Sequence, residues 1–145
     1  MILISHRGNI NGKIIERENS PLYVDEALNL GYNVEIDVWI DKELIFLGHD
    51  NPQYQIDSNW LNERYSKLWI HCKNVESLEW MDGRLNYNYF WYEHDTLTIT
   101  SYRYLWAHPG KQIIKNSIAV MPEVYNDDIS QCIGVCSDYI QKYKK

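Results

Sequence analysis

The chain has 145 residues, which suits one domain around one hydrophobic core. Its net charge of −6 argues against a nucleic-acid-binding function, because such proteins neutralise phosphates with basic side chains. No apolar run approaches the ~20 residues of a membrane-spanning helix, and the first residues lack the basic leader of a signal peptide. We therefore expect no membrane span and no signal peptide.

Cysteine usage suggests the compartment. Cys72, Cys132 and Cys136 make an odd number and lack the paired spacing of a metal site. We expect reduced thiols and, on that basis, a cytoplasmic protein, with Cys132 and Cys136 packed in the core.

The first half of the chain predicts alternating strands and helices. Ser20 and Pro21 are typical of a helix start, and Gly31 is a natural end for that helix. Asp57 and Asn74 can each cap a further helix. Short apolar runs predict strands at 1–4, 33–40, 44–47 and 68–73.

Helical periodicity fades after Gly83, where further strands are predicted. The gap from Asp95 to Ser101 is shorter than the roughly 10–12 residues of a parallel crossover, so this half lacks helices or includes an antiparallel step. A complete (β/α)8 barrel needs ~250 residues. We predict one α/β domain over residues 1–145, a shortened or partly open (β/α) barrel of the TIM type. Its strands would be mostly parallel, its helices reduced in the second half, and the later strands at 88–92, 102–106, 117–121 and 133–136.

The strand at 33–40 carries two carboxylates on one face. Side chains alternate faces along a strand, so Glu35 and Asp37 point the same way. The aliphatic residues that alternate with them point the opposite way: Val34, Ile36, Val38 and Ile40. Two carboxylates held so close repel each other unless a cation lies between them or one holds a proton. The sequence leaves open a third interpretation, in which they form a solvated acidic face.

All five histidines fall at or just after the carboxyl end of a predicted strand. In barrels and open parallel sheets, functional sites gather at that end. A lone histidine is more often structural, but five at the same relative position favour a shared site; of the five, we expect His94 and His108 to be structural. The five are His6, His49, His71, His94 and His108.

Four short motifs follow one another in the first third of the chain. They are Ser5-His6-Arg7-Gly8, Glu18-Asn19-Ser20, Glu35-Ile36-Asp37-Val38 and Gly48-His49-Asp50. They resemble the signature of the glycerophosphodiester phosphodiesterase family, which reads His-Arg-Gly, Glu-Asn-Thr, Glu-x-Asp-Val and His-Asp at similar spacing. That family belongs to a superfamily of (β/α)8 barrels, which includes phosphatidylinositol-specific phospholipase C and sphingomyelinase D. The resemblance implies a barrel fold and cleavage of a small phosphodiester, with glycerophosphodiesters as the default substrate.

The resemblance also implies roles for individual residues. His6 and His49 would be the acid/base pair. Arg7 and Lys73 would hold the phosphate, and Glu35 and Asp37 would bind a divalent metal. Residues 70–73 read Ile-His-Cys-Lys where the family usually has Glu-x-Lys, so His71 would replace the third metal carboxylate. The ion would be Mg²⁺, Ca²⁺ or Mn²⁺, and an imidazole ligand favours Mn²⁺ or Zn²⁺.

Further along, Gly134 to Asp138 resembles the last strand of the family, usually Gly-(apolar)-x-Thr-Asp. The chain would then run from first strand to last and be shortened internally.

Two other functions stay open at this point. The departure at His71 and the missing length favour a non-catalytic phosphate-binding module derived from the family. The second open function is metal-free cleavage by the two histidines and Arg7, as in the bacterial inositol-lipid phospholipases. A shortened barrel leaves strand edges open, which would favour a homodimer.

Overall fold

Ten strands form one curled, mixed sheet in the computed structural model, which describes residues 1–145. Three α-helices, all before residue 82, accompany it: α1 (Pro21–Asn29), α2 (Ser58–Arg64) and α3 (Val75–Met81). The strands are β1 (Ile2–His6), β2 (Asn33–Asp41), β3 (Leu44–Leu47), β4 (Tyr54–Ile56), β5 (Leu68–Cys72), β6 (Asn88–Trp91), β7 (Leu97–Ile99), β8 (Leu105–Ala107), β9 (Ser117–Val120) and β10 (Gly134–Ser137).

Seven strands are parallel and lie in the order β6-β5-β2-β1-β10-β9-β8. The first strand therefore pairs with both the second and the last. β3 pairs antiparallel with the C-terminal half of β2, and β4 pairs antiparallel with β3. At the other end of the sheet, β7 pairs antiparallel with β8. The expectation of a mostly parallel sheet is corrected to a mixed one, because short connections at these places permit only hairpins.

Each of the three helices begins at its predicted capping residue. Ser20 accepts a hydrogen bond from the backbone of Tyr23, and Asp57 accepts one from Trp60. Asn74 forms a reciprocal capping box with Ser77. After Met81 the only helical segments are 3₁₀ turns, at Pro122–Val124 and Ile140–Tyr143, so the later part of the chain is poor in helix as predicted.

Apolar side chains fill both faces of the sheet. The outer face packs against the helices through a cluster that includes Val24, Ile36, Ile70 and Met81. A second cluster lines the concave face and draws on six strands: Ile4, Trp69, Phe90, Trp106, Ile118, Val120 and Cys136. The Phe90 and Trp106 rings lie 4.8 Å apart although β6 and β8 are far apart in the sheet order. The sheet therefore curls enough to bring the carboxyl ends of distant strands around one opening.

Two details differ from the prediction. The three-residue strands β4 and β7 were not predicted, and the strand expected at 102–106 begins only at Leu105. Arg103 has a φ of 65° and closes a turn by donating its backbone N–H to Thr100, which ends extended structure there.

The three cysteines are free. Cys136 is buried in the core as expected, whereas Cys132, for which the same was expected, is only half-buried; Cys72 is also buried. Burial raises the pKa of the Cys72 thiol to about 12. None of the helices combines the length and apolar character needed to cross a membrane.

Candidate functional site

A cavity of about 420 Å³, called the main cavity below, opens at the carboxyl ends of the parallel strands. Of the seven residues predicted for the site, Asp37 alone does not line it. Asp37 lies directly behind the wall, with 0% of its surface exposed, in contact with Arg7 and His71. The other six line the cavity: His6, Arg7, Glu35, His49, His71 and Lys73.

Strand register brings these side chains together. β1 places His6 beside Glu35, and β5 places His71 beside Asp37. Because alternate residues share a face, Glu35 and Asp37 both point away from the helices, as the sequence predicted. Ligand atoms of Glu35, Asp37 and His71 all lie within 4.8 Å of one another.

Asp37 is the most heavily partnered residue of the site. Its carboxylate lies 3.0 Å from Arg7 Nε and 3.0 Å from His71 Nδ1, and it accepts a 2.8 Å hydrogen bond from Asn19. Burial alone would raise the pKa of Asp37. The hydrogen bond from His71 and the charges of Arg7 and Lys73 outweigh burial and hold this pKa well below its usual range. Asp37 therefore stays ionised and ties three elements of the site together.

Glu35 is the opposite case. Only 3% of it is exposed, yet its Oε2 is buried without a hydrogen-bond partner. His6 Nε2 lies 3.8 Å from this oxygen, and His71 Nδ1 lies 4.0 Å from the other carboxylate oxygen, Oε1. Burial and the neighbouring charge of Asp37 raise the pKa of Glu35. A buried carboxylate in this state gains free energy from any cation or proton that reaches it.

Asp138 orients the imidazole of His6. Its Oδ1 accepts a 2.7 Å hydrogen bond from His6 Nδ1 and a 2.9 Å hydrogen bond from Asn9. The other ring nitrogen of His6, Nε2, then lies on the side of Glu35. Burial would lower the pKa of His6, but the hydrogen bond to Asp138 and the charge of Glu35 raise it overall. The sequence assigned Asp138 no role, although it closes the run that resembles the family's last strand.

His49 is delivered to the cavity by the turn after β3. Gly48 has a φ of 154° there, and a Cβ at this position would lie 2.1 Å from the carbonyl oxygen of Asn51. Only glycine permits this turn. Burial, followed by the charge of Arg7, lowers the pKa of His49. The pKa values of the two predicted acid/base histidines therefore shift in opposite directions.

Other residues reach the cavity that the sequence did not single out for a role. Lys13, from the loop between β1 and α1, lines it beside Arg7. His108 lines its far side, so four of the five strand-end histidines share the cavity, whereas the exposed His94 does not line it. The polar sequence around Lys13 gave no signal beyond that of an ordinary loop.

We expect Asp138→Asn to free the His6 imidazole from its present orientation and tautomer, because an amide no longer favours a proton on Nδ1. The pKa of His6, followed by NMR, should fall at the same time, since Asp138 raises it. A merely structural role for Asp138 would lower the unfolding midpoint while leaving this pKa unchanged. Asp128→Asn, at an exposed acidic residue, is the matched control.

Comparisons with family models, curated proteins and solved structures found no match for this chain. Function is therefore inferred from the chemistry of the cavity. Three cationic side chains, two imidazoles with opposite pKa shifts and one unpartnered carboxylate converge on a space of about 420 Å³. Such a set can neutralise an anion and move protons to and from it.

Proposed function

We propose that this protein cleaves a small phosphodiester, with His6 and His49 as the acid/base pair. The observation that carries the proposal is the convergence of these two imidazoles with Arg7, Lys13 and Lys73 on one cavity. Glycerophosphodiesters are the default substrate, and only the resemblance of the sequence motifs supports that choice.

The cationic side chains answer the first requirement of the reaction. A phosphodiester is an anion that resists nucleophilic attack until its charge is offset. Arg7 Nη1 is 3.2 Å from Glu18, and its Nε faces Asp37, so the guanidinium is held at the cavity wall from two sides. An arginine fixed in this way binds phosphate with little loss of side-chain entropy.

The opposite pKa shifts assign the two proton-transfer roles. The lowered pKa of His49 keeps it uncharged near neutral pH, as a general base for water or a substrate hydroxyl must be. The hydrogen bond to Asp138 and the charge of Glu35 raise the pKa of His6, which favours the protonated form that a general acid for the leaving alkoxide needs. Groups whose pKa values are pushed apart in one site suit this division of labour.

A divalent ion forms part of the proposal. Glu35 offers Oε2, which is buried without a hydrogen-bond partner, and Asp37 and His71 would complete the donor set. A bound ion would supply Lewis-acid stabilisation of the phosphoryl oxygens. Two carboxylates and one imidazole fit Mn²⁺ or Zn²⁺ better than Mg²⁺ or Ca²⁺, because the third hard oxygen ligand is missing.

The fold is compatible with a shortened TIM-type barrel. β1 pairs in parallel with both β2 and β10, as the first and last strands of a closing barrel do. The inferred site lies at the carboxyl end of the strands, where barrels of this type hold their active sites.

The direct test is hydrolysis of phosphodiesters by the purified protein. Glycerophosphoethanolamine and bis(4-nitrophenyl) phosphate are supplied with Mn²⁺, Zn²⁺, Mg²⁺ or Ca²⁺ in turn, and the monoester 4-nitrophenyl phosphate serves as the control substrate. We expect cleavage of a diester and little of the monoester. Phosphate binding without turnover of any diester would instead assign the non-catalytic binding module.

A further inference from the structure

A second cavity lies beside the main one and shares three of its lining residues. It measures about 320 Å³ and is called the side cavity below. Arg7, Lys13 and His49 line both cavities. A phosphodiester has the matching arrangement, because its phosphate stands between two alcohol groups. The shared residues therefore separate two places in which those alcohols can be bound.

The two cavities differ in chemistry. Aromatic rings form the far wall of the main cavity: Phe90, Tyr92, Trp106 and His108. The Tyr92 and His108 rings are stacked with centroids 3.5 Å apart, and the Phe90 and Trp106 rings lie 4.8 Å apart. Polar groups instead line most of the side cavity: apart from the shared residues and Ile15, its lining residues are Glu18, Asp50, Asn51 and Gln53.

His108 adds one polar feature to the aromatic wall. Its Nε2 is buried and has no hydrogen-bond partner. Burial, with the charge of His71, lowers the pKa of His108 to about 4, so the ring is uncharged near neutral pH. A neutral imidazole stacked on a phenol ring forms a flat surface with one unused hydrogen-bonding atom.

We propose that the main cavity binds an aryl or heteroaryl alcohol of the diester, while the side cavity binds a small polyol such as glycerol. This deepens, and rests on, the proposed phosphodiesterase function. Flat rings stack favourably on the aromatic wall, and a polar substituent on the ring reaches His108 Nε2. Hydroxyl groups of the polyol exchange hydrogen bonds with the amides of Asn51 and Gln53.

The test is calorimetric binding of three phosphate compounds to the full-length protein. Phenyl phosphate probes the main cavity, glycerol 1-phosphate probes the side cavity, and inorganic phosphate probes the residues that both share. We expect Tyr92→Leu to weaken phenyl phosphate binding by about 3- to 10-fold and to leave glycerol 1-phosphate unchanged. The double variant Asn51→Ala/Gln53→Ala should have the reverse selectivity, by about 3- to 10-fold.

Each outcome is distinguishable. Equal effects of a variant on all three compounds, or none on any, would overturn the division into two subsites while leaving the phosphodiesterase proposal intact. Failure of inorganic phosphate to bind the wild-type protein would overturn both proposals. Asn51 and Gln53 are exposed, so their replacement should leave folding unchanged, and thermal unfolding checks the same for Tyr92→Leu. If that variant does not fold, His108→Leu takes its place, with the same expected selectivity.

Discussion

Replacing His49 or His6 by alanine is expected to reduce phosphodiester turnover by about 10²–10⁴ each, because each imidazole transfers a proton in the transition state. Both side chains line the main cavity, and their pKa values are shifted in opposite directions. Turnover is measured with an alkyl diester, whose leaving alkoxide needs protonation.

An activated substrate separates the two roles. The leaving 4-nitrophenolate of bis(4-nitrophenyl) phosphate is a weak base and needs little help from a general acid. His6→Ala should therefore recover much of its lost rate on this substrate, whereas His49→Ala should not, because the nucleophile still requires a base. Recovery of the His49 variant alone would reverse the assignment, and an unchanged rate in both variants on both substrates would remove the acid/base pair.

The pH profile follows from the same shifts. The active form has His49 uncharged and His6 protonated, and both groups start from an ordinary pKa of 6.5. Activity should fall as the pH drops through the lowered pKa of His49 and as it rises through the raised pKa of His6, which gives a bell-shaped profile. His94→Ala is the matched control, because His94 also follows a strand but is exposed and does not line the cavity.

The parts of this site that the sequence predicted depend on local pattern. The alternation along Asn33–Asp41 places Glu35 and Asp37 on one face whatever the rest of the chain does. The same alternation places His71 on the cavity side of its own strand. Parallel pairing of neighbouring strands then brings these residues into register, Asp37 beside His71.

The rest of the site depends on contacts between residues far apart in the sequence, which no local pattern predicts. Asp138 reaches His6 across 132 residues because β10 pairs with β1. Asn19 reaches Asp37 from a loop, where its φ of 62° and its two hydrogen bonds depend on tertiary contacts. Lys13 is an exposed residue of a polar loop, and long-range contacts hold that loop at the cavity, such as the hydrogen bond from Gly12 N–H to the carbonyl oxygen of Asp138. The antiparallel strand β7 is three residues long, which is too short for periodicity to reveal.

His71→Glu is expected to change which ions the site binds. The wild-type donor set has two carboxylates and one imidazole. It should therefore bind Mn²⁺ or Zn²⁺ well and Mg²⁺ or Ca²⁺ weakly. A glutamate at position 71 restores a hard, negatively charged ligand and should raise the affinity for Mg²⁺ or Ca²⁺ by about 10-fold or more. Calorimetry with each ion near neutral pH measures this, and His94→Glu adds the same charge at an exposed position as the control.

The apo form of His71→Glu should also be less stable than the wild type. It sets a third carboxylate beside Glu35 and Asp37, and like charges in a buried site repel. Saturating Mg²⁺ or Ca²⁺ should restore the unfolding temperature, because a ligand that binds only the folded state stabilises it. An unfolding temperature that does not respond to either ion would contradict the proposed ligand set.

The rival to a metal is a fixed cation supplied by the chain. His71 Nδ1 lies 3.0 Å from Asp37 Oδ1, and its Nε2 lies 3.2 Å from the carbonyl oxygen of Tyr92. Both neighbours accept hydrogen bonds, and only an imidazolium can donate to both. If the wild type binds no divalent ion and its phosphodiesterase activity survives chelator, this imidazolium and Arg7 offset the buried carboxylates instead. Such a result would leave the metal-free mechanism by His6, His49 and Arg7 as the one consistent with the site.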